Sequence, residues 1–230
     1  MQLHSFSDVA TLNDYFAEQL ASILRKAIAC RGHAYLVVSG GKTPQSLFAM
    51  LAKQELDWQK VTITLADERW LAPCEADSNE RLVRANLLQH RAAKATFISL
   101  YREATDPFAN LTLLDDELSA LPTFDAVILG MGEDGHTASL FPCSSEITSG
   151  LADSPASVLV VTPATAPYQR ISLTKTRLLN SRAIYLHLVG EKKLPILNKA
   201  LEASEPATAL PVRAFLHHPT ANVHVMFAPL

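Results

Sequence analysis

FDAVILGMGEDGHTASLFP, at residues 124–142, holds the clearest strand-to-loop boundary in the chain. Residues 124–129 are mostly apolar and predict a buried strand, which ends where the glycine-rich segment begins. In open α/β sheets, ligands bind outside the carboxyl ends of the strands. Asp134 and His136 are the side chains best suited to chemistry at this position. We therefore expect a ligand site in this loop.

The rest of the chain alternates apolar runs with segments of helical periodicity. This alternation is typical of an α/β domain with a largely parallel sheet. We predict a doubly wound, Rossmann-like, largely parallel sheet with helices on both faces, in a single domain of residues 1–230. Strands are predicted at 34–38, 61–65, 97–100, 124–129, 158–161, 183–189 and 222–227, with an extended segment at 170–173.

Helices are predicted from apolar spacing and from the residues that commonly begin or end them. Ser7 is the expected cap of the first helix, and Gly32 is expected to end it. Thr43 is the expected cap of the second helix, with Pro44 at its first position. The predicted helices cover 7–31, 43–51, 78–88, 106–118 and 191–202, and a loop rich in proline and alanine is predicted at 203–211.

Composition and charge exclude several classes of protein. Hydrophobic residues make up 48% of the 230 residues, and the net charge of −3 gives no sign of a nucleic-acid surface. The cysteines, Cys30, Cys74 and Cys143, are too few for a disulfide scaffold. No signal peptide is recognised, and no apolar run approaches the roughly 18 residues of a membrane span. We therefore expect a cytoplasmic protein without nucleic-acid or membrane partners.

A second candidate loop, SGGKT at residues 39–43, follows the predicted strand at 34–38. A nucleotide-binding P-loop requires a glycine where this chain has Leu36, so that interpretation is excluded. Glycines nonetheless leave backbone N–H groups accessible, and a helix is predicted to start directly after them. We favour an anion site over a plain strand-to-helix turn. Its residues would be Ser39, Gly40, Gly41, Lys42 and Thr43.

The segment GMGEDG, residues 130–135, also matches the dinucleotide-binding pattern G-x-G-x-x-G. Glu133 and Asp134 would direct negative charge at a pyrophosphate, which disfavours that interpretation. The next predicted strand, at 158–161, is not followed by the acidic residue that would bind a ribose. We therefore predict no nicotinamide or flavin cofactor.

Charged residues follow other predicted strands. Asp67-Glu68-Arg69 form a charged segment after the strand at 61–65, and in a parallel sheet it would open on the same edge as the 130–136 loop. Arg170 and Lys193 occupy comparable positions later in the chain, and together they would balance a phosphate dianion.

His136 is the candidate general base of this edge. Neutral imidazole accepts protons near pH 7, and Asp134 is close enough in sequence to orient its ring. No grouping of histidine, cysteine and aspartate has the spacing of metal ligands, so no metal is expected.

Together these segments resemble the glucosamine-6-phosphate isomerase/6-phosphogluconolactonase family. The motifs lie in order along residues 38–193 and are specific as a set. They are VSGGKTP at 38–44, ADERW at 66–70, SN at 78–79, GMGEDGHTASLFP at 130–142, RISLT at 170–174 and GEKK at 190–193. The resemblance implies a sugar phosphate at the carboxyl edge of a Rossmann-like sheet. It also implies hydrolysis of 6-phospho-D-glucono-1,5-lactone to 6-phosphogluconate, in the oxidative pentose phosphate pathway.

The resemblance also implies roles for individual residues. The phosphate would lie on the 39–43 loop, Arg170 and Lys193, with Lys192 as the neighbouring alternative. His136 corresponds to the catalytic histidine, and Arg69 to an arginine beside the lactone. By itself the resemblance does not say whether Asp67 is catalytic or structural, nor does it fix the oligomeric state, for which we expect a monomer.

The wider family includes glucosamine-6-phosphate deaminases, which carry Asp-Glu-Tyr where this chain has Asp67-Glu68-Arg69. They also carry an acidic residue near the position of Phe141-Pro142-Cys143. Both differences favour the lactonase. The alternatives are a deaminase or isomerase in which Asp67 abstracts a proton, and a sugar-phosphate-sensing domain. The second is disfavoured because the segment before the first strand predicts one amphipathic helix and no DNA-binding motif.

Overall fold

The structure, a computed structural model, describes residues 1–202 and 204–230. Its strands are β1 (Gln2–Ser5), β2 (Ala34–Val38), β3 (Val61–Leu65), β4 (Asp67–Arg69), β5 (Thr96–Ile98), β6 (Ala126–Leu129), β7 (Val158–Val161), β8 (Arg170–Leu173), β9 (Ile184–Val189) and β10 (Val223–Ala228). Its α-helices are α1 (Val9–Arg31), α2 (Gln45–Leu51), α3 (Asn79–Asn86), α4 (Leu111–Ser119), α5 (Ile147–Leu151), α6 (Lys175–Leu179), α7 (Lys193–Leu201) and α8 (Arg213–Leu216). Short 3₁₀ helices lie at Trp58–Lys60 and His90–Lys94.

A seven-stranded sheet in the order β1-β10-β9-β6-β2-β3-β5 forms the centre of the molecule, and all its neighbouring strands are parallel. From β2 the chain runs outward through β3 to β5, then returns to β6 on the other side of β2 and runs outward again through β9 to β10. Because parallel crossovers are right-handed, this reversal puts the connecting helices on opposite faces. The predicted doubly wound α/β fold is confirmed. Its reversal point, between β2 and β6, is where such sheets bind ligands.

A second sheet of three antiparallel strands, in the order β4-β8-β7, lies next to the end of β3. The backbone of Leu173 in β8 donates a hydrogen bond to the carbonyl of Ala66, which joins the two sheets. One cluster of buried hydrophobic residues includes side chains of both sheets, such as Leu36 and Ile171. Each such side chain contributes about 1.5–3 kcal/mol when it is fully buried.

Helix α1 covers one part of this core because its apolar residues recur at helical spacing. Leu12, Phe16, Leu20 and Leu24 are all inaccessible to solvent. The side chain of Asp8, not that of Ser7, caps its first turn by accepting a hydrogen bond from the backbone of Thr11. Gly32 ends the helix in the left-handed conformation (φ 79°), as predicted.

Two other predicted helix starts are wrong. Pro44 only flanks α2, which begins at Gln45, and Thr43 makes no capping bond. No helix begins at Asp106, because its carboxylate instead accepts hydrogen bonds from the backbones of Phe108 and Ala109 and closes a turn. Helix α4 begins only at Leu111.

No strand was predicted at Gln2–Ser5, where the structure has β1. Residues 67–69 were expected in a charged loop, and they form strand β4. The extended segment at 170–173 is strand β8, paired antiparallel with β4. The predicted loop at 203–211 begins with Ala203, which lies outside the described residues. Within the described part of the chain, no helix is long and apolar enough to cross a membrane.

Candidate active site

A cavity of about 220 Å³ opens at the carboxyl ends of β2 and β6, where the strand order reverses. The structure brings most of the predicted site residues to its wall. They are Ser39, Gly40, Gly41, Thr43, Asp67, Arg69, His136 and Lys193. Asp134 joins them through its contact with His136, whereas Lys42 and Arg170 are not part of the wall.

His136 and Asp134 form a hydrogen-bonded pair in the loop after β6. Nδ1 of His136 lies 2.6 Å from Oδ1 of Asp134, and the same oxygen accepts a hydrogen bond of 3.1 Å from the backbone N–H of His136. This contact favours the imidazole tautomer with its proton on Nδ1. Nε2 makes no hydrogen bond within the described residues, and it is therefore the nitrogen available to a ligand.

The Phe141 ring supports the histidine ring from one side, with 4.2 Å between the ring centroids. Burial opposes ionisation of Asp134, but the hydrogen bond and positive charge of His136 outweigh it, so the pKa of Asp134 lies below its usual value. The Asp134 carboxylate is therefore ionised at neutral pH and serves as a hydrogen-bond acceptor for the His136 ring.

Glycines shape this loop around the pair. Gly135 has φ 77°, a left-handed conformation that side chains disfavour, and its N–H donates to the carbonyl of Gly132. The N–H of Gly132 in turn donates to the carbonyl of His136 at 2.9 Å, which closes the turn. The glycine pattern that resembles a dinucleotide motif thus serves to fold the loop back on itself.

The SGGKT loop lies on the opposite side of the reversal point. Ser39 Oγ donates to the carbonyl of Ile128 at 3.0 Å, which ties the loop to β6. Gly41 has φ 92°, and Gly40 lies so close to Asn79 that a Cβ atom on it would be 1.9 Å from Oδ1. Within the described residues, no backbone N–H of residues 40–43 donates a hydrogen bond. These free donors suit an anion.

Lys193, the first residue of α7, contributes a cation to the same cavity. Its ammonium group donates to the carbonyl of Met131 at 2.9 Å, which places the charge beside the loop after β6. Lys192 is exposed and lies outside the cavity wall, so the geometry favours Lys193 over its neighbour.

Arg69 and Arg170 are direct partners in the antiparallel pairing of β4 with β8. Directly opposed residues project from the same face, so two cationic side chains lie side by side. Arg170 is only 5% exposed, and within the described residues its Nε and Nη1 atoms have no hydrogen-bond partner. Burial and the nearby charge of Arg69 lower the pKa of Arg170. Its guanidinium carbon lies 5.9 Å from the centroid of the Phe141 ring, the ring that also contacts His136.

Asp67 is buried, and within the described residues only one of its two carboxylate oxygens accepts a hydrogen bond. Its Oδ2 atom accepts a hydrogen bond of 2.5 Å from Ser139 Oγ, and its backbone carbonyl accepts one of 2.9 Å from the Asn79 side chain. Oδ1 makes no hydrogen bond within the described residues and belongs to a side chain of the cavity wall. The geometry thus gives Asp67 a structural role in holding the loop at Ser139 and leaves one oxygen for a ligand.

Glu68 was not a predicted site residue, but it organises this part of the site. Its buried carboxylate accepts hydrogen bonds from the backbones of Arg69, Asn79 and Glu80 and from the hydroxyl of Ser78. Burial raises the pKa of the Glu68 carboxyl, and these hydrogen bonds oppose the rise. The first turn of α3, which the Ser78 side chain caps, is thereby joined to β4. The sequence signal for this role was that Glu68 is an acidic residue close after the predicted buried strand at 61–65.

Other wall residues also escaped prediction. Asn79 reaches the cavity because it begins α3 beside Gly40, and Thr137 donates to the carbonyl of Gly130 at 2.8 Å. Ala138 has φ 48°, an unusual value for a residue with a Cβ atom, within the same turn. His187 of β9 also belongs to the wall, but both of its ring nitrogens are buried without hydrogen-bond partners among the residues that the structure describes. Within the described residues, no group of three or more potential ligands could hold a metal ion.

Residues 7–225 match the family model described as glucosamine-6-phosphate isomerases/6-phosphogluconolactonase. The chain belongs to this family. A 6-phosphogluconolactonase of Pseudomonas putida is 43% identical over 220 residues, which cover 95% of this chain and 90% of that protein.

Solved structures of the family have the same fold. A 6-phosphogluconolactonase from Shewanella baltica superposes with a TM-score of 0.96 at 45% identity, covering 99% of this chain and 97% of the other. A monomeric glucosamine-6-phosphate deaminase superposes with a TM-score of 0.81 at 19% identity, covering 99% and 97% of the two chains. At that identity the second match concerns the fold alone, so the fold of the family does not by itself distinguish the two reactions.

Proposed function

We propose that this chain hydrolyses 6-phospho-D-glucono-1,5-lactone to 6-phospho-D-gluconate, the lactonase step of the oxidative pentose phosphate pathway. The observation that carries the proposal is the His136–Asp134 pair at a cavity whose other wall presents free backbone N–H groups and Lys193. A base on one side and an anion site on the other suit a phosphorylated ester. The family relatives named 6-phosphogluconolactonase support the same substrate.

His136 acts as the general base in this proposal. Its Nε2 atom takes a proton from a water molecule as the water oxygen attacks C1 of the lactone. Asp134 accepts the Nδ1 proton in a hydrogen bond of 2.6 Å and stabilises the imidazolium that forms. The lactone C1–O5 bond then breaks, and the proton on Nε2 passes to the ring oxygen. The OH of the water thus becomes part of the new carboxyl group and its other proton that of the new hydroxyl, without a covalent intermediate. The carboxyl group then loses its proton to solvent and becomes the carboxylate.

Attack on C1 places negative charge on the carbonyl oxygen, which requires a donor in the cavity wall. Arg69 and the backbone of the loop after β6 are the candidates, since both line the cavity. The phosphate lies on residues 39–43 and Lys193 in this proposal, with Arg170 as a further cation. These groups position the ring and do no chemistry themselves.

The deaminase remains the second candidate because Asp67 lines the cavity with one free carboxylate oxygen. Against it, the Asp67 carboxylate is already bound to Ser139, and Arg69 stands where deaminases carry tyrosine. A lactone also requires no proton abstraction from carbon, and His136 and Asp134 suffice for its hydrolysis.

The test is a lactonase assay on freshly generated 6-phosphogluconolactone, corrected for spontaneous hydrolysis. We expect enzyme-dependent acid release that saturates with the lactone and no ammonia release from glucosamine 6-phosphate. Ammonia release without lactone hydrolysis would establish the deaminase instead. Binding of 6-phosphogluconate without turnover of either compound would indicate a sensing domain.

We also infer that the protein works in the cytoplasm as one domain and as a monomer. The three free cysteines and the single core cluster support the first two statements. Light scattering with and without 6-phosphogluconate tests the oligomeric state.

A further inference from the structure

Two loops meet beside the arginine pair. The loop after β4 and the loop before β8 are joined at their bases by the Trp70 N–H, which donates to the Gln169 carbonyl at 2.8 Å. Further out, the hydroxyl of Tyr168 donates to Oδ2 of Asp77 at 3.1 Å. The second contact is a side-chain bridge between two segments that are far apart in the sequence.

Tyr168 holds an unfavourable backbone conformation at this bridge. Its φ of 69° lies in the left-handed region, which a bulky side chain rarely adopts. Within the described residues, His90 and Ala138 are the other residues besides glycine with positive φ. Such a conformation persists only where the surrounding structure holds it, and it is common at ligand-binding sites. The hydrogen bond from the Tyr168 hydroxyl to Asp77 and that from the Trp70 N–H to the carbonyl of the next residue, Gln169, supply that restraint.

Asp77 links the tyrosine to the cavity. While its carboxylate accepts the Tyr168 hydroxyl, its backbone carbonyl accepts a hydrogen bond of 2.5 Å from Nη1 of Arg69, a residue of the cavity wall. Two residues after Tyr168 comes Arg170, which faces Arg69 across the strand pair. The Tyr168–Asp77 hydrogen bond is therefore linked to both Arg69 and Arg170.

We propose that Tyr168 and Asp77 are positioning residues whose hydrogen bond holds Arg69 beside Arg170 for the anionic part of the substrate. Adjacent guanidinium groups repel each other, so Arg69 would otherwise turn towards water until an anion arrived. The bridge orders the pair during folding, and binding then requires less ordering of the side chains and the loop. The identity of the substrate in this inference rests on the proposed lactonase function. The hydrogen bonds that would hold Arg69 do not depend on that function.

The experiment compares Tyr168→Phe with Tyr15→Phe. The two tyrosines are 42% and 41% exposed, and within the described residues the Tyr15 hydroxyl makes no hydrogen bond, so the control removes a comparable hydroxyl far from the arginines. A second pair is Asp77→Ala, which removes the acceptor, and Asp77→Asn, which keeps an acceptor oxygen. Calorimetry gives the Kd of 6-phosphogluconate and of inorganic phosphate, and the lactonase assay gives KM and kcat separately.

We expect Y168F and D77A to raise the Kd of 6-phosphogluconate and the KM about 3- to 10-fold, the effect of one hydrogen bond, with little change in kcat. D77N and Y15F should bind like the wild type. Unchanged Kd values in Y168F and D77A overturn the inference, and so does a loss confined to kcat. A wild type without lactonase activity refutes the proposed function instead. In that case the phosphate Kd values of the same four variants still decide whether the bridge positions the arginines.

Discussion

Gly132 lies against the ring of His136, so that a Cβ atom at residue 132 would come within 2.1 Å of Nδ1. The same atom would be 2.7 Å from Oδ1 of Asp134. The hydrogen-bonded pair therefore occupies space that exists only because residue 132 has no side chain. At Gly130, two residues earlier, an added Cβ atom would meet no atom of the described residues within 4 Å besides those of its chain neighbours, and φ is not positive.

Gly132→Ala should displace the His136–Asp134 pair and leave the fold intact. A misplacement of about 1 Å costs roughly 10²-fold in rate, so we expect a kcat loss of that order. Gly130→Ala is the control within the same loop and should lose much less activity, because its Cβ atom would not meet the His136–Asp134 pair. Lactonase kinetics and thermal melts of both variants provide the comparison. Equal activity of the two alanine variants would show that the pair does not need its present position.

His136→Ala should lower kcat by about 10²–10⁴, which is the usual contribution of a general base. The Kd of 6-phosphogluconate should stay close to that of the wild type, because the anion-binding groups lie elsewhere in the cavity. Asp134→Asn should also lower kcat, since the amide does not stabilise the imidazolium. Steady-state kinetics and calorimetry separate these effects. A His136→Ala variant with normal kcat would remove His136 from the mechanism.

Arg170→Met should make the protein more stable and its ligand binding weaker. The Arg170 guanidinium is buried with two unpartnered nitrogens beside Arg69, and methionine removes both the unsatisfied donors and the repulsion. We expect the free energy of unfolding to rise by about 1 kcal/mol, at the lower end of the cost of an unsatisfied buried group. Urea denaturation and calorimetry with 6-phosphogluconate measure the two effects. Lower stability with unchanged binding would contradict this assignment.

His187 should make the protein sensitive to mild acid. Burial lowers the pKa of His187 to about 4, whereas an unfolded histidine titrates near 6.5. Between these values the unfolded chain binds more protons, so stability is fully present above pH 6.5 and is lost as the pH falls towards 4. At about 1.36 kcal/mol per pKa unit, the loss is roughly 3 kcal/mol.

His187→Leu should remove this part of the pH dependence. The free energy of unfolding, measured in urea from pH 7 to pH 4.5, should fall less steeply in the variant than in the wild type. His218→Gln, at a partly exposed histidine near the C-terminal end, is the control and should retain the wild-type slope. Parallel curves for wild type and His187→Leu would show that His187 does not stay neutral in the folded protein.

The strands of the large sheet were predictable because burial on both faces leaves long apolar runs, as in residues 34–38 and 184–189. Their carboxyl ends then placed His136, Asp134 and the SGGKT loop on one edge. Strand β4 escaped prediction because Asp67-Glu68-Arg69 look like a solvated loop, although two of the three are buried. Their burial depends on Ser139 and on the first turn of α3, which are distant in the sequence.

Helix starts were harder to predict, because residues that commonly cap helices also occur beside the true cap or in turns. Ser7 and Asp8 are both good caps, and the structure uses Asp8, to which the Ser7 hydroxyl donates. Asp106 is followed by a proline and has the pattern of a helix start. Its carboxylate nevertheless accepts hydrogen bonds from backbone N–H groups of a turn, and no helix follows directly. The residues next to Asp8 and Asp106 do not show which backbone N–H groups each carboxylate will bind.

Strand β1 pairs with β10 at the edge of the sheet, with Gln2 opposite His224 and Ser5 opposite Phe227. More than 200 residues separate these partners, so β1 is synthesised before the other described strands and β10 after them. Until then, its four residues have no strand beside them. We therefore expect the closing of this edge to be a late step of folding, after the loops of the candidate site have their supporting strands.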